Sequence, residues 1–138
     1  TTTVRAHPTR SWLSLDCADA ERSQRRERLL DRLAAPDDEA ALLDLAPELQ
    51  ARPAEAWGWL TRWLHDLGRV KAAAPPRYFP GRATQLGRLA TDLSWPALLA
   101  FEAELREAGR WLRHPLNSQL LLESWLIRYA RLREPKHG

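Results

Sequence analysis

The stretch His114-Pro115-Leu116-Asn117-Ser118-Gln119-Leu120-Leu121-Leu122-Glu123-Ser124-Trp125-Leu126-Ile127-Arg128-Tyr129 decides the fold. Pro115 disfavours helical geometry at His114, so a preceding helix is expected to end there. Asn117 offers a side-chain oxygen to the free N–H groups of the next turn. Leu116 before it can pack on Leu121, four residues after the cap. The pattern predicts a sharp corner between two antiparallel helices. At about 3.6 residues per turn, Leu121, Leu122, Trp125, Leu126, Tyr129 and Leu132 share one broad face, while Leu120 and Ile127 fall on roughly the opposite side. A helix apolar on two sides is either central to its own bundle or docks another subunit with its second stripe.

Upstream of the corner the helical period recurs. Ser94 is placed to cap a helix with Pro96 in its first turn, and Leu98, Phe101, Leu105, Ala108 and Leu112 then step by three and four. A short helix is predicted over 82–92, with Leu86, Leu89, Ala90 and Leu93 inward. Before it, Ala74-Pro75-Pro76-Arg77-Tyr78-Phe79-Pro80-Gly81 must be irregular, because each proline lacks a donor and restrains its predecessor; Tyr78 and Phe79 are expected to pin this loop to the core. A longer helix over 53–73 opens on Pro53 and gathers Trp57, Leu60, Trp63, Leu64, Leu67 and Val70 on one face, with Trp59 at its margin. His65, Asp66 and Arg69 fall on the side expected to be solvated. Pro36-Asp37-Asp38 starts a shorter helix with Leu42, Leu45, Ala46 and Leu49 at the spacing of one buried face, bent or ended by Pro47. The first helix is expected from Asp16 to about Ala35, highly charged, with only Leu29, Leu30 and Leu33 deeply buried. Residues 1–15 read as a tail or the end of a preceding domain, 16–133 as one helical domain, and 134–138 as a frayed tail. No repeat of 34 or so residues emerges, so a compact all-α bundle of five to six helices is predicted rather than a solenoid.

Composition agrees. The 138 residues are 44% hydrophobic and 28% charged, Val occurs twice and Ile once, and the length suits one domain with a substantial core. The single Cys17 excludes an intrachain disulfide and a cysteine-rich zinc site. No run approaches the ~20 apolar residues that cross a bilayer, and no charged-then-apolar leader is present, so the cytoplasm is the expected compartment. The chain contains no Met, and Thr1 is therefore expected to lie inside a longer native protein. The net charge of +3 comes almost wholly from arginine, Lys71 and Lys136 being the only lysines. Those arginines alternate with acids, as in Arg25-Arg26-Glu27-Arg28, which reads as a solvated helix face more readily than as a nucleic-acid surface.

Chemistry-bearing patterns are scarce. His7, His65, His114 and His137 are isolated, with no i, i+4 pair to hold zinc, and there is no phosphate-cradling glycine loop and no nucleophile elbow. Asp37-Asp38 and Glu102/Glu104 read as helix-start charge and a solvated face. No catalytic residue, cofactor or metal ligand is predicted within these residues. Gly58, Gly68, Gly87 and Gly109 lie inside predicted helices and are expected to permit close packing. The seven tryptophans are expected mostly in the core, with interface anchoring as the other use of this residue type.

The corner His114-Pro115-Leu116-Asn117 with its Leu-rich helix resembles the C-terminal end of the bacterial DNA polymerase III δ′ subunit. The helix Trp59-Leu60 through Lys71, followed by Ala74-Pro75-Pro76-Arg77-Tyr78, and the charged helix ending Arg28-Leu29-Leu30-Asp31 are similar to the same family, over roughly residues 16–132. The resemblance implies a collar domain of the clamp loader, which opens the sliding clamp and places it on primed DNA. In that case residues 1–15 are the remnant of a preceding lid domain. The partners implied are the subunits γ/τ and δ, with DNA reached only through the assembled loader, and with no membrane and no small-molecule substrate. The implied role is scaffolding; the parent belongs to the DNA polymerase III holoenzyme, but the AAA+ features of the family have no counterpart in these residues. The second stripe of the last helix, with Leu120, Glu123, Ser124, Ile127, Arg128 and Arg131, is then the expected subunit contact. The alternatives are a helical arginine-rich nucleic-acid-binding module and, third, an enzyme with an all-α ligand pocket beneath the Pro75-Pro76 loop.

Overall fold

Ala, Leu, Arg and Glu lose little on entering a helix, and they produce a chain without strands among its described residues. The computed structural model describes the backbone of residues 2–112 and 118–133 and the side-chain surroundings of 17–112 and 120–132. Its helices are α1 (Thr2–Ala34), α2 (Glu39–Leu43), α3 (Ala46–Leu49), α4 (Pro53–Lys71), α5 (Ala83–Thr91), α6 (Trp95–Ala108) and α7 (Ser118–Ala130), with 3-10 turns over Pro80–Arg82, Gly109–Trp111 and Arg131–Arg133. With α2 and α3 taken as one bent segment, six helices form the expected all-α bundle. Asp38 Oδ1 accepts the Ala41 N–H at 3.1 Å to cap α2. Pro47 sits in the first turn of α3, where its missing donor costs nothing, so it bends the segment rather than ending it. Ser94 Oγ accepts the Ala97 N–H at 3.2 Å and caps α6 as predicted. The corner at His114–Asn117 lies outside the described residues.

The start of the first helix and the centre of the bundle differ from expectation. Helix α1 does not start at Asp16 but is continuous from Thr2. Apolar periodicity signals a buried face rather than helix itself, and once nucleated a helix gains a hydrogen bond with each added residue. The central element is α4, not the last helix: α4 packs against α1, α3, α5 and α6, whereas α7 packs against α2, α3 and α6. Trp63 of α4 is fully buried, and its Nε1–H donates to Tyr129 Oη at 2.9 Å; that hydroxyl donates in turn to the Leu33 carbonyl at 2.5 Å. One chain of hydrogen bonds thus joins α4, α7 and the end of α1 inside the core.

The charged face of α1 is laced to its neighbours rather than merely solvated. Arg25 grips Glu55 of α4 with two parallel bonds of 2.8 and 3.0 Å, and Arg28 pairs with Glu48 of α3. Arg82, at the start of α5, reaches Glu27 at 2.5 Å and Asp31 at 2.9 Å. Burial alone would lower the Arg82 pKa, but these two carboxylates hold it above its usual value; the Arg82 hydrogen bond likewise holds the Glu27 carboxyl below the usual range.

Helix α4 ends in a Schellman turn. The Ala74 N–H donates to Arg69 O at 2.8 Å and the Ala73 N–H to Val70 O at 2.9 Å, with Ala73 at φ 67°. That left-handed position favours glycine, and Ala73→Gly is expected to raise stability by about 0.5–1 kcal/mol, the relief of Cβ crowding exceeding the entropy that glycine adds to the unfolded chain. Denaturant titration checks the sign; a loss of stability would show that the turn tolerates Cβ without strain.

Beyond this turn the loop is held by a residue expected in solvent. Asp66 is completely buried and accepts three backbone N–H bonds, from Arg77 at 2.8 Å to Oδ1 and from Tyr78 and Phe79 at 2.9 and 2.8 Å to Oδ2. Phe79 packs on Trp63 with ring centroids 5.9 Å apart, whereas Tyr78 is 41% exposed. The backbone and Phe79 pin the loop to the core, whereas Tyr78 rests against His65 and Arg62 at the surface of α4.

Candidate subunit-contact surface

Leu122, Trp125, Leu126 and Tyr129 carry one face of α7 into the core and fix the rotation of the helix. Leu120, Glu123, Ser124, Ile127, Arg128 and Arg131 then occupy the complementary arc. Leu120 is 63% exposed, Ser124, Arg128 and Arg131 are also exposed, and Glu123 and Ile127 are half-buried. Of the two residues of the second stripe, Leu120 is exposed and Ile127 half-buried. Arg128 Nη1 pairs with Glu104 of α6 at 3.0 Å, its guanidinium 5.8 Å from the Phe101 ring centroid, and Arg131 Nε lies 3.5 Å from Glu39 of α2. These pairs tie the outer face to helices on which α7 packs, leaving Leu120 as the exposed apolar group near the start of the helix.

A second exposed face runs along α6. Trp95 is 41% and Leu99 55% exposed, Ala103 is exposed, and Trp111 in the following 3-10 turn is 58% exposed. The expectation of core tryptophans holds for Trp59, Trp63 and Trp125 but not for Trp95 and Trp111. The phase of the helix carries the missed signal. At about 100° per residue, Trp95 and Leu99 lie roughly a quarter-turn or more from the line of Leu98, Phe101 and Leu105. Lys71 Nζ lies 5.7 Å from the Trp95 ring centroid.

The other sites singled out in the sequence resolve differently. A Cβ on Gly109 would come within 2.7 Å of the Trp57 indole, whose Nε1–H donates to Leu105 O at 2.7 Å, so glycine permits this approach. At Gly68 and Gly87 a Cβ would make only ordinary contacts, and at Gly58 it would meet the flexible end of Arg62. Glu104 serves the Arg128 pair, while Glu102 is half-buried; burial raises its pKa, against the opposing pull of His65 and Arg106. His65 is half-buried with Nε2 unpartnered, edge-on to Tyr78 at 5.4 Å. No group of three or more His, Cys, Asp or Glu among the described residues could hold a metal, and no described helix is long and apolar enough to cross a membrane.

Exposed Trp and Leu side chains are the residue types that anchor protein contacts. The family model for the C-terminal part of the DNA polymerase III delta subunit matches residues 20–131. The chain belongs to that family. It is therefore a C-terminal helical domain of a clamp-loader subunit, which agrees at that level with the resemblance of the corner and last helix. The sequence matches no curated protein and no solved structure. As a clamp-loader domain it interacts with other subunits.

Proposed function

We propose that this chain is the collar domain of the δ′ subunit, joining γ/τ and δ so that the assembly can load the sliding clamp onto primed DNA. The match to the family supports a clamp-loader subunit, and the His114-Pro115-Leu116-Asn117 corner favours δ′ within it. The observation that supports the scaffolding role is the exposure of Leu120, 63%, on the outward arc of α7. In this reading the domain does its work by holding that arc at a fixed orientation, so that movements of nucleotide-driven modules are referred to a stable ring. Arg25, Arg28, Arg82, Arg128 and Arg131 are engaged with carboxylates, which weakens the case for a broad basic nucleic-acid face.

Leu120→Asp tests the reading. The side chain is exposed, so the variant is expected to keep its helical circular-dichroism spectrum and melting temperature. Its association with γ/τ and δ, measured by co-purification and mass, is expected to weaken by about tenfold or more, the loss of an interface anchor. Unchanged association removes Leu120 from the contact, and global unfolding would instead favour a structural role for the stripe. Failure of the unaltered chain to associate at micromolar concentration would count against the collar assignment itself.

A further inference from the structure

We infer that the loop carrying Arg77, Tyr78 and Gly81, together with Arg62 of α4, is a docking site for a short acidic peptide segment of a partner protein, one bearing a large apolar side chain between carboxylates. Tyr78 is 41% exposed, yet its backbone is held from beneath by Asp66, so the ring stands on a fixed base. Two guanidiniums gather on it: Arg62 lies 5.8 Å and Arg77 5.5 Å from the ring centroid. Both arginines are exposed, and neither has an ion-pair partner among the described residues. The arginines that fasten helices together, Arg25, Arg28 and Arg82, all have carboxylates. Two like charges collected on one aromatic ring repel each other until an anion arrives, and a fixed pair of planar donors suits carboxylates.

Tyr78 also lines an adjoining open cleft of about 350 Å³, shared with Arg26, Glu27, Phe79, Pro80, Gly81 and Arg82, whose exposed surface is more polar than apolar. Phe79 and Pro80 give it an apolar wall against which one large side chain can lie. The same cleft includes Glu27, and Asp31 stands beside it as the second partner of Arg82. A nucleic-acid backbone carries charge at every step and would meet those carboxylates. A peptide can alternate, setting its acids on Arg62 and Arg77 and its apolar residue in the cleft. The occupant favoured by this charge pattern is therefore an acidic peptide. The inference stands independently of the δ′ assignment.

The probe is a fluorescein-labelled Glu-Asp-Phe-Asp-Glu peptide, titrated with the full chain by anisotropy. The comparison probes are Glu-Asp-Ala-Asp-Glu, Lys-Lys-Phe-Lys-Lys and a twenty-nucleotide deoxythymidine oligomer. Saturable binding of the first is expected, weakened by about fivefold or more when Phe becomes Ala and in the double variant Arg62→Gln/Arg77→Gln. Gly81 lines the cleft and a Cβ there meets nothing within 4 Å, so Gly81→Trp is expected to fold normally, obstruct the cleft and lower affinity in the same way. Circular dichroism of each variant reports folding separately. Absence of binding to the unaltered chain, equal binding by the arginine variant, or tighter binding of the oligonucleotide overturns the proposal.

Discussion

Asp66→Asn is expected to cost about 3 kcal/mol of stability and to free the 77–79 loop. The substitution keeps shape and volume, so it isolates hydrogen bonding. The carboxylate offers two oxygens and takes three N–H donors, one on Oδ1 and two on Oδ2. An amide offers one oxygen and two donors of its own. In its better orientation it retains the Tyr78 and Phe79 bonds but turns an NH2 toward the Arg77 N–H, donor against donor. The retained bonds also lose their charge assistance. Hydrogen bonds to a charged group contribute about 1.5–3 kcal/mol each, and an unsatisfied buried group costs about 1–3, which together set the expected size. For a domain of this length the melting temperature should fall by about 10 °C. Hydrogen exchange supplies the local reading: the amides of Arg77, Tyr78 and Phe79 should lose protection more than those of α4. A shift below about 2 °C with unchanged exchange would mean that Phe79, packed on Trp63, holds the loop without the carboxylate.

The outcome at Asp66 also shows where periodicity stops being informative. On α4 the heavily apolar stripe was legible, and Leu60, Trp63, Leu64 and Leu67 are all buried. Trp59, placed at the margin, is buried as well, and Asp66 follows it by seven residues, on nearly the same line of the helix. The burial of one therefore signalled the other, but an acidic residue on a buried line finds its reason only in a partner. Here the partners are three N–H groups of a proline-broken loop, a contact with no period to reveal it. Ser94, with Pro96 two residues on, was readable because capping is local, and the inward set Leu86, Leu89, Ala90 and Leu93 is buried as its spacing predicted. The outward position of Leu120 was legible because the rotation of a helix follows from its buried face. Trp95 was missed because residue type was weighed ahead of phase, while Leu99 already lay outside the inward set of its helix. Arg62 was missed because the ring it meets, Tyr78, belongs to another segment.

Tyr129→Phe is expected to cost about 2–4 kcal/mol while leaving the surface of α7 unaltered. The phenyl ring preserves the packing of a residue that is only 2% exposed, so the change removes a hydroxyl and little else. That hydroxyl accepts from Trp63 Nε1–H and donates to Leu33 O, and both of those residues are fully buried. The Leu33 carbonyl belongs to the last turn of α1, where helix geometry supplies no partner of its own. Losing one oxygen therefore leaves a donor and an acceptor unsatisfied in the core, at about 1–3 kcal/mol apiece. The double variant with Trp63→Phe separates this from cavity effects. Once the indole donor is gone, removal of the hydroxyl strands only the Leu33 carbonyl, so the second substitution should cost about 1–2 kcal/mol less than it does alone. Strict additivity would break the proposed chain of bonds. Exchange at the end of α1 should rise, since the bond from α7 to Leu33 is lost. Because Tyr129 faces inward and Leu120 outward, the two variants divide the helix cleanly. Tyr129→Phe should lower stability at an unchanged affinity for clamp-loader subunits under folding conditions, and Leu120→Asp should do the reverse. Loss of affinity in folded Tyr129→Phe would show instead that the core hydrogen-bond chain sets the orientation of the contact face.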